Sequence, residues 1–308
     1  MGIEVVLNGI FSALFVASVI RISTPLIFGA FGGLITEMAG APNIALEGIM
    51  LGAAFTGVVV SALTQNAVYG MLAGVAVGTF LGSLLAFFHL YFETNPILAG
   101  IAINVMSSGS TVFLLALISG EKGNSSSLAS LVLPEVEIPF LVSIPFLGEA
   151  FGRHNVLTYA AFLAAFLVFV LIYKTKLGRH IRAVGENPVA AESVGISVVK
   201  MKYIAYALSG LVASFGGVNL SMGYLSIFQR DMTAGRGFIA LAAIFLGGKR
   251  PLGVLFGAIV FGFAEALSNQ IGSLGFPPQW IQMIPYAATI LALVISNMIR
   301  IRRQSLAV

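Results

Sequence analysis

The chain has 308 residues, 58% of them hydrophobic and only 9% charged, and its mean hydropathy is +1.00. A soluble domain carries roughly a quarter charged residues and under half apolar ones. Too little polar surface is present to cover a water-soluble globule of this size, which excludes an ordinary cytosolic enzyme, a disordered chain and a nucleic-acid-binding domain, and makes the bilayer the solvent. The net charge of +4 does not alter this, because Lys and Arg lie in the gaps between apolar runs rather than along one basic stripe. The chain has no cysteine, which excludes disulfides, thiolate metal sites and Cys nucleophiles. His89, His154 and His180 are far apart and lack metal-site spacing.

A crossing helix needs about 20 mostly apolar residues. The N-terminus holds Glu4 and no Lys or Arg before Arg21, unlike the positive start of a cleaved signal peptide, so 5–22 is read as a retained first span. Further apolar runs fall at 25–38, 46–64, 67–90, 96–118, 156–173, 201–221, 237–247, 252–271 and 281–299, making ten segments. Two of them, 25–38 and 237–247, are too short for simple crossings. Such segments lie at membrane depth only where protein covers their free backbone groups. Ten segments put both termini on one side. With the termini inside, eleven Lys and Arg are internal (Lys174, Lys176, Arg179, Arg182, Lys200, Lys202, Lys249, Arg250, Arg300, Arg302, Arg303) and five external (Arg21, Lys122, Arg153, Arg230, Arg236). That bias follows the positive-inside rule. The external loop 119–155 also carries Glu121, Glu135, Glu137 and Glu149.

Residues 44–52 read IALEGIMLG and 239–247 read IALAAIFLG, an offset of 195 at which Ile44/Ile239, Ala45/Ala240, Leu46/Leu241, Ile49/Ile244, Leu51/Leu246 and Gly52/Gly247 are identical, with Gly40/Gly235 just upstream. An offset spanning five crossings runs the copies in opposite directions, as in the inverted repeats of transporters, whose solute sites lie near the midplane beside interrupted helices. Chance among Ala, Ile, Leu and Gly also produces such matches. Both copies adjoin interruptions, Gly40-Ala41-Pro42-Asn43 and Gly235-Arg236-Gly237. The expected architecture is a single all-α, polytopic domain over 1–308: repeat one about 5–118, an outer loop 119–155, and repeat two about 156–299 with an inner loop 174–200. Gly70, Gly74, Gly78 and Gly82, and again Gly253 and Gly257, recur at four-residue spacing, which lets another backbone approach closely.

The inner loop reads KTKLGRHIRAVGENPVAAESVGISVVK. Asn187 is a good N-cap, Pro188 suits the first helical position and Gly195 the residue past a helix end. A short helix over 188–194 is predicted; alone in water it would be marginal and needs tertiary support or a partner.

Ala190-Ala191-Glu192 followed by Gly195-Ile196 resembles the EAA-type loop of ABC importer permeases. The wider stretch from Gly178 to Gly217, with Gly185-Glu186-Asn187-Pro188, is similar to permeases of the branched-chain amino acid, simple sugar and nucleoside group. Gly40-Ala41-Pro42-Asn43-Ile44-Ala45-Leu46-Glu47-Gly48-Ile49-Met50 and Gly235-Arg236-Gly237-Phe238-Ile239-Ala240-Leu241-Ala242 are similar to nucleoside importer permeases, with Pro42 where that family more often has Val, Ile or Leu. The resemblance covers nearly the whole chain. It implies a transport subunit of a bacterial cytoplasmic membrane, with Glu186, Asn187, Pro188, Ala190, Ala191, Glu192, Gly195 and Ile196 in a coupling helix that docks on an ATP-binding subunit. The implied partners are two ATP-binding cassette subunits, a second related permease forming a heterodimer, and an extracytoplasmic binding lipoprotein.

The chain carries no motor of its own. Gly247-Gly248-Lys249-Arg250 lacks the upstream glycine and the hydroxyl of a phosphate-binding loop, so ATP and Mg belong to partner chains and this one needs no cofactor. No catalytic constellation is present. Glu265 lies in an otherwise apolar span, where a charge costs roughly 2.5–3.5 kcal/mol on insertion scales; it is expected to face the bundle interior or a cavity and to be protonated or hydrogen-bonded, for example to Asn269 one turn on. Asn43, Glu47, Asn104, Ser107, Asn219, Phe238 and Glu265 are the candidates for a path taken by a neutral, hydrogen-bonding solute. Each also reads as a buried group joining helices. An importer for sugars or branched-chain amino acids is the alternative within the family. A stand-alone transporter or channel driven by ion gradients is the alternative outside it, and it lacks a dense set of intramembrane acids and bases.

Overall fold

The structure, a computed structural model, describes residues 12–272 and Val294. Among these, seven helices are long and apolar enough to cross a bilayer: α1 (Ala13–Met38), α2 (Leu46–Thr64), α3 (Ala67–Tyr91), α4 (Pro96–Ser119), α7 (Val156–Lys174), α10 (Val198–Met222) and α12 (Pro251–Gly272). Between them lie the short helices α5 (Pro139–Val142), α6 (Leu147–Phe151), α8 (Lys176–Glu186), α9 (Pro188–Ser193) and α11 (Arg236–Leu246). Part of the expected first span and all of 281–299 lie outside the described residues.

Polar residues begin most of the long helices. The side chains of Ser12, Asn66, Asn95, Asn155 and Ser197 accept from the first-turn amides of α1, α3, α4, α7 and α10, satisfying donors that have no partner within the helix.

The first correction concerns 5–22 and 25–38. They are not separate segments: α1 runs unbroken for 26 residues through Pro25. Proline removes a helical hydrogen bond, but the turn before it is reinforced, since Ser23 Oγ donates to the Val19 carbonyl (2.7 Å) and Thr24 Oγ1 to the Ile20 carbonyl (2.9 Å). Arg21, which had marked a loop, lies within α1 with its guanidinium 5.0 Å from the centre of the Tyr224 ring. Two segments thus become one helix, and Ser12 and Met38 stand at its opposite ends.

The glycine ladder packs inside the chain. Gly82 and Gly78 of α3 face the backbone of α10 at Tyr206 and Gly210, while Gly74 and Gly70 face carbonyls of Ala53 and Gly57 in α2. A methyl at any of the four would collide with these atoms. Gly253 and Gly257 do the same for α12 against Gly247 and Ala243 of α11.

The outer loop is structured. A two-stranded antiparallel ribbon, β1 (Glu135–Glu137) on β2 (Arg153–Asn155), pairs Val136 with His154, a small addition to the expected all-α fold. Asn155 Nδ2 ties it to the Leu133 and Gly223 carbonyls (2.9 and 2.8 Å). Gln65, past the end of α2, donates to Ala129 of the same loop. At the opposite end of the bundle, Gly40 lies against Gly185 of α8. The end carrying 175–197 is therefore distinct from the end carrying 120–155.

Candidate functional site

Two interruptions meet where the start of α2 lies against the start of α11, the second of them partly exposed at Asp231 and Ala234. The first follows α1. Gly40 adopts φ +64°, a region open to glycine at little cost, and the Thr36 carbonyl accepts from both Ala39 and Ala41 (3.0 Å each). Pro42 and Asn43 carry the chain to α2. Asn43 is fully buried, its Oδ1 accepting from the Ala45 amide and its Nδ2 donating to Ser209 Oγ, both at 2.9 Å. Asn104 of α4 closes the far side, accepting from the Gly48 amide (2.7 Å) and donating to the Ile44 carbonyl (2.9 Å). Tyr206 Oη donates to the Pro42 carbonyl at 3.3 Å.

The second interruption precedes α11. Asp231, Ala234 and Gly235 have φ of 53°, 45° and 81°, a strained approach for the two non-glycines. α11 has no side-chain cap of its own. Glu47, at the start of α2, supplies one: its Oε1 accepts from the Gly235 amide (2.8 Å) and its Oε2 from the Gly237 amide (2.7 Å). A carboxylate at a helix N-terminus is favoured by both the free amides and the helix dipole. Gly237 has to be glycine, because a Cβ would strike the Glu47 backbone.

The interruptions face each other in antiparallel sense. Gly33 of α1 packs against Leu46 and Ile244, and Gly29 packs against Met50 and Ala240. Passing from one glycine to the other, residue numbers rise along α2 and fall along α11.

The remaining candidates are dispersed. Ser107 is buried, with its hydroxyl against Gly48. Asn219 is buried in α10, and its amide nitrogen has no hydrogen-bond partner among the described residues. Phe238 is 49% exposed on α11. Glu265 does not pair with Asn269. Its Oε1 accepts from the Arg236 guanidinium in an ion pair whose side chains are only 14% and 21% exposed. Arg236 is therefore not an external-loop cation; it also donates to the Met232 and Thr233 carbonyls. Asn43, Glu47 and Asn104 are thus brought together at the two interruptions, with Ser107 beside them; Glu265 reaches the second interruption through Arg236 and Phe238 lies in the first turn of α11, while Asn219 stands apart.

Sequence reading missed Arg236, Tyr206, Ser209 and the Lys249–Glu37 pair (2.8 Å). The demand of Glu265 for a cation could have pointed to Arg236. The others carried no signal, since they meet across more than 160 residues of sequence or across α1 and the α11–α12 turn.

The inner loop has more structure than expected. α8, in the part of the inner loop for which no helix was expected, is a helix capped by Thr175 Oγ1. α9 spans 188–193, one residue shorter than predicted, with Asn187 Oδ1 accepting from the Ala190 amide (3.0 Å). Gly195 has φ +83°, and the Ile196 amide donates to the Ala191 carbonyl (3.0 Å). Only Ala191 of this helix is buried, against Val184 and Met201. Glu186, Asn187, Pro188, Ala190, Glu192 and Gly195 are exposed and Ile196 half-buried. Val189 and Val194 stand 77% and 73% exposed, which makes the tip apolar although it faces water.

Among the described residues, seven helices long and apolar enough to cross a bilayer, two interruptions that meet at Glu47 and a capped two-helix loop at one end define a multi-pass membrane protein. The chain belongs to the family described as branched-chain amino acid transport system / permease component, whose profile matches residues 15–293. It is similar to the guanosine ABC transporter permease protein NupQ of Bacillus subtilis, 36% identical over 88% of each chain. It is also similar to the nucleoside ABC transporter permease protein NupC of Lactococcus lactis, 32% identical over 90% of each. Among solved structures, PsaBC from Streptococcus pneumoniae in complex with Fab shares the fold, with a TM-score of 0.54 at 12% identity over 94% of this chain and 95% of that one. The chain is an ABC transporter permease, a transport subunit rather than an enzyme.

Proposed function

We propose that this chain is one permease subunit of an ATP-driven nucleoside importer. The observation that carries the reading is the likeness, over nearly nine-tenths of the chain, to permeases for guanosine and for nucleosides in two bacteria. The exposed apolar tip of α9 supports a docking role: Val189 and Val194 would be covered by an ATP-binding subunit, which brings ATP and Mg. The assembly holds two such subunits, a second related permease and an extracytoplasmic binding lipoprotein.

The orientation is 175–197 inside and 120–155 outside. Arg21 and Arg236 leave the external count because they lie within helices, which leaves Lys122, Arg153 and Arg230. The same rule removes Lys174, Lys176, Arg179, Arg182, Lys200 and Lys202, in α7, α8 and α10, so five internal cations outside the described helices (Lys249, Arg250, Arg300, Arg302, Arg303) stand against three external ones, and the bias keeps its direction. On this count residues 300–303 are cytoplasmic, whereas α1 as one crossing puts Ser12 at the outer end, which removes the charge argument for an internal N-terminus. The antiparallel crossing of α2 and α11, each beginning after a left-handed glycine of the matched pair Gly40/Gly235, supports the inverted-repeat reading.

The solute path runs along α4, between the two permeases. α4 is the least buried of the long helices, at 22%, and it borders clefts of about 620 Å³ on its inner half, at Asn95, Leu98 and Met106, and about 370 Å³ on its outer half, at Ser108, Gly109 and Phe113. By contrast Asn43, Glu47 and Asn104 have their hydrogen-bonding groups engaged within the chain.

The test is co-expression with the ATP-binding subunits and partner permease, followed by reconstitution with the binding protein. ATP-dependent guanosine or uridine uptake that survives collapse of ion gradients is expected. Uptake by the lone chain, or uptake of a sugar or branched-chain amino acid in place of nucleosides, would overturn it.

A further inference from the structure

The loop 175–197 touches more than its neighbours in sequence. Gly185, the penultimate residue of α8, lies against the turn that ends α1. A Cβ at Gly185 would collide with the Met38 carbonyl and crowd Ala39, and a Cβ at Gly40 would come within 3.2 Å of Gly185 itself. The turn 38–42 belongs to the first interruption, which is bonded to α10 through Tyr206 and Ser209 and to α4 through Asn104. α11 is fastened at both ends to the residues flanking that interruption: its N-terminal amides bind Glu47, and Lys249, just past its C-terminus, pairs with Glu37 at 2.8 Å. Ala191 of α9 packs on Val184, the neighbour of Gly185.

We propose that Gly185 is a positioning residue that carries movement of the cytoplasmic loop into the interruption at 38–45, and from there, through Glu47 and Glu37, to α11 as a unit. The loop then acts on the interrupted segments by direct contact as well as through the connected helices α7 and α10. The close glycine–backbone contact transmits displacement because it has no side-chain slack, and packed elements shift as discrete bodies. This inference rests on the reading of 175–197 as the loop that meets the ATP-binding subunits.

The chain contains no cysteine, so Met38→Cys and Glu186→Cys, at the residue whose carbonyl meets Gly185 and at the neighbour of Gly185, place the protein's two thiols on either side of this contact. In the reconstituted complex, a disulfide between them is expected to form and to leave uptake within about twofold of the reduced form, because the two segments move together. Gly185→Ala should assemble with its partners and keep basal ATP hydrolysis, while solute-stimulated hydrolysis and uptake fall about tenfold or more. Arrest of uptake by the disulfide with recovery on reduction, failure of the disulfide to form in an assembled complex, or wild-type uptake by Gly185→Ala would each overturn the proposal. If Gly185→Ala does not assemble, the cysteine pair decides. The cysteine-pair values are ratios to the same variant in its reduced form and the Gly185→Ala values are ratios to the unmodified complex, each with whichever solute the complex carries, so an unexpected solute changes the proposed function and leaves this test intact.

Discussion

The interruption at 39–45 and the one at 231–235 each leave backbone groups without helical partners, and they are sealed differently. The first uses two amide side chains, Asn43 and Asn104, and a tyrosine hydroxyl, drawn from three elements. At the second, one carboxylate, Glu47 at the start of α2, takes both the Gly235 and Gly237 amides, while the Arg236 guanidinium covers the Met232 and Thr233 carbonyls. Paired positions in the sequence match do not take paired roles: Glu47 corresponds to Ala242, which is buried and supplies no polar group, and Gly52 packs within α2 while Gly247 ends α11. A distributed seal loses little when one member goes. Two amides that share one acceptor residue lose both bonds with it.

The largest expected effect follows from that difference. Glu47→Ala strands the Gly235 and Gly237 amides, at about 1–3 kcal/mol for each unsatisfied donor and more where the acceptor was charged. Folded permease in detergent should show a large drop in Tm, and uptake should be lost. Glu47→Gln retains one acceptor oxygen and should fall between. A Tm for Glu47→Ala equal to wild type would mean that the second interruption holds itself together.

Next comes the ion pair that fixes α11 to α12. Arg236→Met leaves the Glu265 carboxylate unpaired in a site only 14% exposed, a change worth about 3–5 kcal/mol when a buried pair is broken from one side. The double variant Arg236→Met, Glu265→Leu should recover most of that loss. Thermal unfolding of the two single variants and the double one gives the coupling directly, and purely additive losses would show that the pair contributes nothing as a pair.

Asn104→Ala tests the distributed seal. It removes two hydrogen bonds but leaves Asn43, Ser209 and Tyr206 in place, so a loss of about 1–3 kcal/mol is expected, smaller than that of Glu47→Ala. A larger loss would place the main support of the first interruption on α4 and reverse the comparison.

Legibility in sequence divides along the same line. Features specified by neighbours in the chain could be read: the Asn187-Pro188 start and Gly195 stop of α9, most long spans, and the breaks at Gly40 and Gly235. Features specified by distant partners could not. Arg21, Ser23, Thr24 and Pro25 look like a loop because each disfavours a buried helix by itself, yet Tyr224 and the two hydroxyl back-bonds accommodate them within α1. No helix was expected over α8 because its basic residues mask the buried positions Gly178, Ile181 and Val184, whose spacing is that of one helix face. Glu47 was visible as a polar residue beside a break, but its role as the cap of a helix 188 residues away was not.

The smallest effect belongs to a glycine that meets nothing. A Cβ at Gly109 on α4 meets no atom within 4 Å among the described residues beyond its own stretch of helix, whereas one at Gly78 on α3 collides with Ser214. Within the isolated chain Gly109→Ala should be neutral or stabilising by up to about 1 kcal/mol, since glycine disfavours a helix interior. Gly78→Ala should destabilise the chain, because the collision is with a packed helix rather than a flexible tip. The contrast also probes assembly. If the second permease covers this face of α4, Gly109→Ala should leave the chain's own Tm unchanged or raised while reducing the yield of the two-permease complex and its uptake. Full assembly and uptake by Gly109→Ala would mean that the partner does not approach α4 closely at this position, and the solute path would then have to be sought on another face.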